Sequence, residues 1–257
     1  MKQVLLGVLA SAWFISPVGA VDHNNVDANR PLDFDDAETI AYREKSFEFG
    51  GAIVKPKGGK SGLEGEAEFL YGFKKNWHLN AGFDPKFVDD GTRRRRGDIG
   101  DFSLGVQHNF NREIGNTPAF GVRADAFLPT GRGSRGVDFR LRGIASKSFR
   151  QYARLHLNLD LQVDNSPAAG DRKTQPGIIV GYSQPLGYPT RFDRTLLAQV
   201  GYRANSLKGQ SGITRIGVGL RQQVTPQSVF DVGLISEVSG GAGREAFKLV
   251  AGYSTAF

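Results

Sequence analysis

Apolar and polar residues alternate along most of the chain from position 46 to the end. In the segment 153–163, every odd position from 155 onward is leucine or valine, and every even position is polar or charged. Successive side chains of a β-strand point to opposite faces, so this pattern predicts a strand with one apolar and one polar face. Twelve segments follow the same rule: 46–54, 63–73, 77–87, 101–110, 120–128, 137–145, 153–163, 177–183, 196–203, 214–222, 229–237 and 245–257.

The distribution of charge over the two faces favours a membrane barrel over a soluble sandwich. Between Phe47 and Phe257 the apolar face carries almost no ionisable group, and His108 is the main exception. An arginine or lysine facing lipid at mid-depth costs about 2–4 kcal/mol. A barrel closed on itself in lipid also satisfies every backbone group. The sequence therefore predicts an all-β fold, a transmembrane antiparallel β-barrel of about twelve strands, spanning residues 46–257.

The lengths of the connections predict the orientation of this barrel. Short turns are expected at 74–76, 148–151 and 225–228, whereas longer loops rich in Gly, Arg and Asp are expected at 89–99, 130–136 and 165–174. Outer-membrane barrels have an even number of strands, short periplasmic turns and longer extracellular loops. We therefore expect both termini on the periplasmic side.

The last strand, 245–257, ends on Phe257. A terminal aromatic residue at the end of such a strand resembles the C-terminal signature of outer-membrane barrels, which the barrel-assembly machinery recognises. This resemblance implies that machinery as a partner. The strand also has to pair with the first strand, because an open edge cannot exist in lipid.

The first 45 residues differ from the barrel in pattern. A basic start, an apolar run over 4–15 and small residues at 18–20 predict a secretory signal peptide over 1–20. Residues 21–45 lack alternation and carry several carboxylates. We interpret them as an irregular extension, either at the periplasmic mouth or folded into the lumen, with simple disorder as the alternative.

Composition narrows the class of partner. The formal net charge is +7, and the chain has no cysteine, so no disulfide stabilises it. For an exported protein a nucleic-acid partner is not expected, whereas outer-membrane lipid, lipopolysaccharide or an anionic solute suits the charge. Arg93, Arg94, Arg95 and Arg96 lie in a predicted outer loop, where they would bind lipopolysaccharide phosphates or simply be solvated.

Ionisable side chains on the polar face would line the lumen and form the pathway of a small-molecule solute. Closing twelve strands about 4.8 Å apart at a tilt of about 40° gives a backbone cylinder roughly 24 Å across. The predicted lumen residues are Glu48, Glu64, Glu66, Glu68, Asp84 and Asp101 from the first four strands, and Arg123, Arg140, Arg142, Arg154, Arg203, Arg215 and Arg221 from later strands. An acidic wall would thus face a basic one and orient dipolar or aromatic solutes. Alternatively, these residues pair with one another and fill the interior.

Catalysis is the main rival class of function, and the sequence argues against it. A hydrolase needs a nucleophile, a base and an orienting group within hydrogen-bond reach. The chain has four histidines, of which His23 is in the extension, His108 points outward, and His78 and His156 lie on the inner wall of strands far apart in sequence. No G-x-S-x-G motif or metal-spaced set of His and Asp appears. We therefore expect no enzyme activity and no cofactor.

Three short motifs resemble one known family. They are RPLDFDDA at 30–37, GDFSLGV at 100–106 and LPTG at 128–131. Together they resemble the outer-membrane family known as the MetA-pathway of phenol degradation, whose members are regarded as transporters of small, often aromatic or hydrophobic compounds. The resemblance implies a channel that admits such solutes by passive diffusion. The alternative is a non-conducting structural or surface-interaction barrel with a salt-bridged interior.

Overall fold

Fourteen β-strands form one antiparallel sheet in the computed structural model. The structure describes residues 30–89, 95–150, 152–187, 190, 193–241 and 244–257. The strands are β1 (Lys45–Pro56), β2 (Gly62–Lys74), β3 (Trp77–Phe83), β4 (Lys86–Asp89), β5 (Arg95–Asp98), β6 (Phe102–Asn109), β7 (Ala119–Leu128), β8 (Asp138–Phe149), β9 (Ala153–Val163), β10 (Thr174–Pro185), β11 (Arg194–Arg203), β12 (Ile213–Thr225), β13 (Ser228–Glu237) and β14 (Glu245–Ala256).

The sheet closes because β1 pairs with β14 on one side and with β2 on the other. The closing register runs from Ser46 opposite Ala256 to Pro56 opposite Glu245. Each other barrel strand pairs with its neighbours along the chain, with β3 joining β6. The barrel therefore has twelve strands, β1 to β3 and β6 to β14, which confirms the predicted fold class.

The third predicted strand, 77–87, is interrupted. Pro85 has no backbone N–H to donate to a ladder, and its carbonyl instead accepts a hydrogen bond from Gly65 at 2.6 Å. Beyond this break β4 continues alongside β2, where Leu63 pairs with Phe87, and turns back as β5. The two extra strands thus form a hairpin in the connection between β3 and β6.

Side chains alternate between a lipid-facing and an interior surface as expected. Along β9, Leu155, Leu157 and Leu159 are exposed on the outside, whereas His156 and Asn158 are buried inside. The outside carries exposed apolar side chains around the whole barrel, and no helix in the described part of the chain is long and apolar enough to cross a bilayer. The interior is polar, as in barrels of the outer membrane.

The start of β1 and the end of β14 lie at one end of the barrel, together with the short connections from β2 to β3, from β8 to β9 and from β12 to β13, as expected for the periplasmic end. Two connections at this end, 110–118 and 186–193, are longer than expected. They do not change the orientation, because the termini and the three tightest turns share one end.

Residues 30–44 precede β1; most of residues 30–40 are buried inside the barrel, whereas residues 41–43 are exposed near the end of β2. Leu32 and Phe34 are completely buried, and they pack in one apolar cluster with wall residues that include Leu197, Ile235 and Val250. Ala37 packs in a second cluster with wall residues of β7 and β8. We call residues 30–41 the lumen segment. It crosses the lumen, with partners that range from Glu48 near the periplasmic end of β1 to Arg215 near the extracellular end of β12.

Candidate functional site

The barrel wall binds the lumen segment largely through its backbone. Backbone N–H groups of the segment donate to wall side chains, from Asp33 to Gln199 Oε1 at 2.8 Å and from Asp35 to Asn158 Oδ1 at 2.7 Å. Asn158 also donates to the carbonyl of Asp35 at 3.0 Å. The N–H of Ala37 donates to Ser146 Oγ at 3.0 Å. Side chains of the wall thus supply the hydrogen bonds that a neighbouring strand would otherwise supply.

Two amides on β6 bind the next carbonyl groups of the segment. Gln107 donates to the carbonyls of Asp36 and Glu38 at 3.0 and 3.1 Å. Asn109 donates to the carbonyl of Ala37 at 3.0 Å. These bonds hold three consecutive peptide groups against β6, so the segment has a fixed path across the lumen.

Ion pairs join charged residues of the segment to the wall, and four of them have contacts of 3.1 Å or less. Buried ion pairs need close geometry and further hydrogen bonds to offset the cost of desolvation, and all four have short contacts. The pairs are Arg30–Glu48 at 2.6 Å, Asp33–Arg215 at 3.1 Å, Asp35–Arg142 at 2.7 Å and Asp36–Arg154 at 2.6 Å. The carboxylates of the segment, which the sequence showed but could not place, therefore neutralise arginines of the lumen.

Phe34 is the main apolar anchor of the segment. Its ring lies 5.0 Å from the ring of His156, and it packs directly on Gly181 of β10. A Cβ at position 181 would overlap the phenyl ring. Glycine at this inward position makes room for the anchor.

His156 and His78 are buried in the wall next to the segment. His156 hydrogen-bonds through Nδ1 to Ser146 and through Nε2 to Ser183, at 3.0 and 3.1 Å. His78 Nδ1 accepts the N–H of Ile40 at 3.4 Å. Both rings therefore belong to the binding surface of the segment, and the prediction that they lie on the inner wall holds.

Asp33 and Asp36, two carboxyls of the segment, are affected differently by their surroundings. Burial raises the pKa of Asp36 above its ordinary value, although the charge of Arg154 acts in the opposite direction. Burial also disfavours ionised Asp33, but the charge of Arg215 and the hydrogen bonds from Gln199 and Arg215 outweigh it and lower the pKa of Asp33.

A cavity of about 400 Å³ lies on the extracellular side of the segment. Its wall combines apolar side chains such as Phe127, Ile179 and Ile213 with many charged ones. The acidic residues are Asp33, Glu64, Glu66, Glu68, Asp84, Asp125 and Asp160, and the basic ones are Lys86, Arg123, Arg140, Arg142, Arg203, Arg215 and Lys248. Seven acids and seven bases make the described wall formally neutral.

Most of these charges pair with one another. Arg123 lies 2.8 Å from Glu68 and 3.0 Å from Asp125, and Arg140 lies 3.0 Å from the same aspartate. Lys248 of β14 pairs with Glu64 at 2.7 Å. Arginine and lysine side chains from β7, β14 and the segment reach the predicted acidic wall. Its carboxylates are therefore largely neutralised locally, and no purely acidic wall faces a basic one.

The thirteen predicted lumen residues divide into two groups. Nine line the cavity: Glu64, Glu66, Glu68, Asp84, Arg123, Arg140, Arg142, Arg203 and Arg215. The other four are placed elsewhere: Glu48 and Arg154 bind the segment, Arg221 is buried in the wall, and Asp101 holds the loop after β7 by accepting the N–H of Gly131 at 2.9 Å. Arg93 and Arg94, the side chains of Arg95 and Arg96, the predicted signal peptide and residues 21–29 lie outside the described part of the structure.

Sequence reasoning missed the residues that bind the segment. They are Arg30, Asp33, Asp35 and Asp36 on the segment, and Gln107, Asn109, Ser146, Asn158 and Gln199 on the wall. A signal was present, because neutral amide and hydroxyl residues occupy inward positions toward the periplasmic ends of β6, β8 and β9. Such groups suit backbone binding better than ion pairing.

Comparison with solved structures shows the fold. The chain is similar to the COG4313 outer membrane channel from Pseudomonas putida F1, with 15% identity, coverage of 88% of this chain and 100% of that chain, and a TM-score of 0.68. It is also similar to the NanC porin, with 12% identity, coverage of 81% and 98%, and a TM-score of 0.62. No family model matches the chain. No curated protein matches it either.

The closed barrel with an apolar outer surface places the protein in a bacterial outer membrane, because only a barrel without free edges satisfies its backbone in lipid. The two neighbours are a channel and a porin. The resemblance to the MetA-pathway of phenol degradation family stays a prediction.

Proposed function

We propose that the protein is an outer-membrane channel that admits small solutes by passive diffusion. The observation that carries this proposal is the cavity of about 400 Å³ between the charged walls of the lumen. Its volume falls within the range of small-molecule sites, roughly 300–1,000 Å³. The similarity in fold to an outer-membrane channel and to a porin supports the same class of function.

The solute we propose is a small compound with an aromatic or hydrophobic part. Phe127, Ile179 and Ile213 give the cavity wall apolar surface, and the charged groups between them mostly pair with one another. A wall of paired charges offers polar contacts without a strong net field for ions of one sign. The thirteen predicted residues remain a proposal for the solute pathway, with the nine on the cavity wall as its core.

The lumen segment controls passage in this proposal. It crosses the lumen below the cavity, and a solute has to pass it to reach the periplasm. The four ion pairs and the backbone hydrogen bonds hold it in place, so the resting channel is narrow. Displacing the segment would widen the pathway.

Bilayer recording of the refolded protein tests the proposal. We expect small conductance in the protein without residues 1–20 and larger conductance after the further removal of residues 21–41. Liposome swelling with phenolic and sugar probes then measures solute preference. Impermeability in all these states would overturn the channel.

The second candidate function is a non-conducting barrel with a structural or surface-interaction role. The observation that favours it is the same set of ion pairs, because Arg123, Asp125, Arg140 and Arg142 fill interior space with bonded side chains. In that case removal of residues 21–41 would leave the membrane impermeable, whereas a channel would become more conductive.

A further inference from the structure

An aromatic cluster lies on the outer surface of the barrel at its periplasmic rim. The rings of Trp77 and His108 stack with centroids 4.0 Å apart and planes 19° from parallel. Phe110 packs edge-on against His108 at 4.7 Å, and Phe73 lies 6.2 Å from Trp77. Trp77 begins β3, and His108 is the next-to-last residue of β6. The cluster is therefore at the depth where lipid headgroups meet the acyl chains.

His108 is the main ionisable exception on the lipid-facing surface, and its hydrogen bonding is incomplete. Its Nδ1 lies 3.0 Å from the carbonyl oxygen of Asn76. A carbonyl only accepts, so Nδ1 carries the proton. No described residue bonds to Nε2, which leaves this nitrogen available to a ligand in the membrane interface.

Three cations adjoin the cluster along the chain. Lys74 and Lys75 lie in the tight turn just before Trp77, and Arg112 follows Phe110 by two residues. All three side chains are exposed, and no ion pair joins them to any residue in the described ranges. Lys147, by contrast, forms an ion pair with Glu113 at 2.6 Å. Unpaired cations beside a membrane interface attract anionic headgroups.

We propose that Phe73, Trp77, His108 and Phe110, together with Lys74, Lys75 and Arg112, bind one anionic phospholipid of the periplasmic leaflet. The aromatic side chains contact the first part of an acyl chain. The cations bind the phosphate, and Nε2 of the imidazole, as an acceptor, faces the hydroxyl groups of a glycerol headgroup. The occupant is a lipid rather than a free anion, because the aromatic surface is continuous with the lipid-facing side of β3 and β6.

The protein carries its own probe for this site. Trp13 and Trp77 are its two tryptophans, and Trp13 falls in the predicted signal peptide. Protein refolded without residues 1–20 in an uncharged detergent therefore has Trp77 as its single tryptophan. Dihexanoylphosphatidylglycerol should change Trp77 fluorescence saturably, at a concentration about tenfold lower than dihexanoylphosphatidylcholine. Added salt should weaken the binding of the anionic lipid.

The variants separate headgroup binding from general charge. Lys74→Gln with Lys75→Gln and Arg112→Gln should bring the two lipids to similar affinity. The matched control, Lys57→Gln with Lys173→Gln and Lys208→Gln, removes three cations at the extracellular end and should bind like the unchanged protein. His108→Leu should weaken the anionic lipid severalfold. Native mass spectrometry provides a second count of retained lipid, and gel mobility without boiling verifies folding of each variant.

Three results would overturn the proposal. One is an equal response to both lipids, or no response by fluorescence and mass spectrometry. Another is unchanged affinity in the folded variant without Lys74, Lys75 and Arg112. The third is a saturable response to glycerol 1-phosphate at the same concentration, which would identify a simple anion site.

Discussion

Arg142 Nη1 of β8 donates a hydrogen bond to the carboxylate of Asp35 at 2.7 Å, and both side chains are almost completely buried. This pair joins the lumen segment to the wall at the boundary between the segment and the cavity. Arg142 also contacts Asp160 of the neighbouring strand β9 at 2.6 Å, and this contact holds the arginine in place.

Removing one partner of this pair should loosen the lumen segment. Breaking a buried ion pair costs about 3–5 kcal/mol, because the remaining charge is left without compensation. We expect Asp35→Asn and Arg142→Gln each to raise protease cleavage within 30–41 and to raise conductance. In the double variant, the free energy of segment docking should change by less than the sum of the changes in the two single variants. Additive effects would mean that the two residues do not act as a pair.

A glycine substitution tests the fit of the apolar anchor. Gly181→Ala should expel Phe34 from its place, since a Cβ at 181 overlaps the ring. Gly143→Ala is the control, because nothing lies within 4 Å of a Cβ at that strand position. We expect conductance to rise severalfold for Gly181→Ala alone, with unchanged mobility of both variants on unboiled gels. Equal behaviour of the two variants would contradict the anchoring role of Phe34.

The strands could be predicted well from the sequence because lipid constrains every second residue. The predicted segment 153–163 and β9 (Ala153–Val163) have identical bounds. The exception is β3, where Pro85 interrupts a strand that keeps the right alternation on both sides. Alternation reports which face a residue occupies, and it is insensitive to a local break in the ladder.

The lumen could be predicted only in part. Inward charges can pair across the wall or bind an inserted segment, and the alternation is the same in either case. Lys248, for example, lies on the polar face, yet its pairing with Glu64 depends on the closure of β14 against β1. The carboxylates at 33, 35 and 36 have no periodicity, because wall side chains bind their backbone and no strand partner imposes alternation.

Acid should weaken docking of the lumen segment through Asp33. The pKa of Asp33 is lowered in the folded protein. Its contribution to the stability of docking is therefore fully present above the unfolded pKa of about 3.9. This contribution is lost as the pH falls through the lower folded pKa. We expect conductance to rise as the pH falls below about 4.

Asp33→Asn provides the comparison for this pH effect. Burial raises the pKa of Asp36. The contribution of Asp36 to docking stability therefore has the opposite pH dependence, because it is lost as the pH rises through the folded pKa. The difference between the unchanged protein and Asp33→Asn isolates Asp33. Conductance measured from pH 3 to pH 7 should show no acid-induced rise in the variant. The same acid-induced rise in both proteins would exclude Asp33 as its source.

The C-terminal residue should matter for assembly more than for stability. The N–H of Phe257 donates to the carbonyl of Lys45 at 2.9 Å, which extends the closing pair of strands by one bond, and one such bond contributes only about 1 kcal/mol. We expect removal of Phe257 to reduce the amount of folded barrel in cell membranes severalfold while refolding in detergent continues. Phe230→Ala, an outward aromatic on β13, is the control. Equal losses in cells would argue against recognition of the terminus.

Arg203 should tune the ion selectivity of the cavity. Its side chain is about half exposed (49%) and has one ion-pair contact, with Glu237 at 3.3 Å, whereas Arg215 contacts the same glutamate at 2.8 Å and two further carboxylates. Arg203→Gln leaves six bases against seven acids on the described cavity wall. We expect the reversal potential in a potassium chloride gradient to shift toward cations, with more than half of the conductance retained. Lys57→Gln removes a charge from an outer turn and should cause no shift, and an equal shift in both variants would show that surface charge, not the cavity, sets the selectivity.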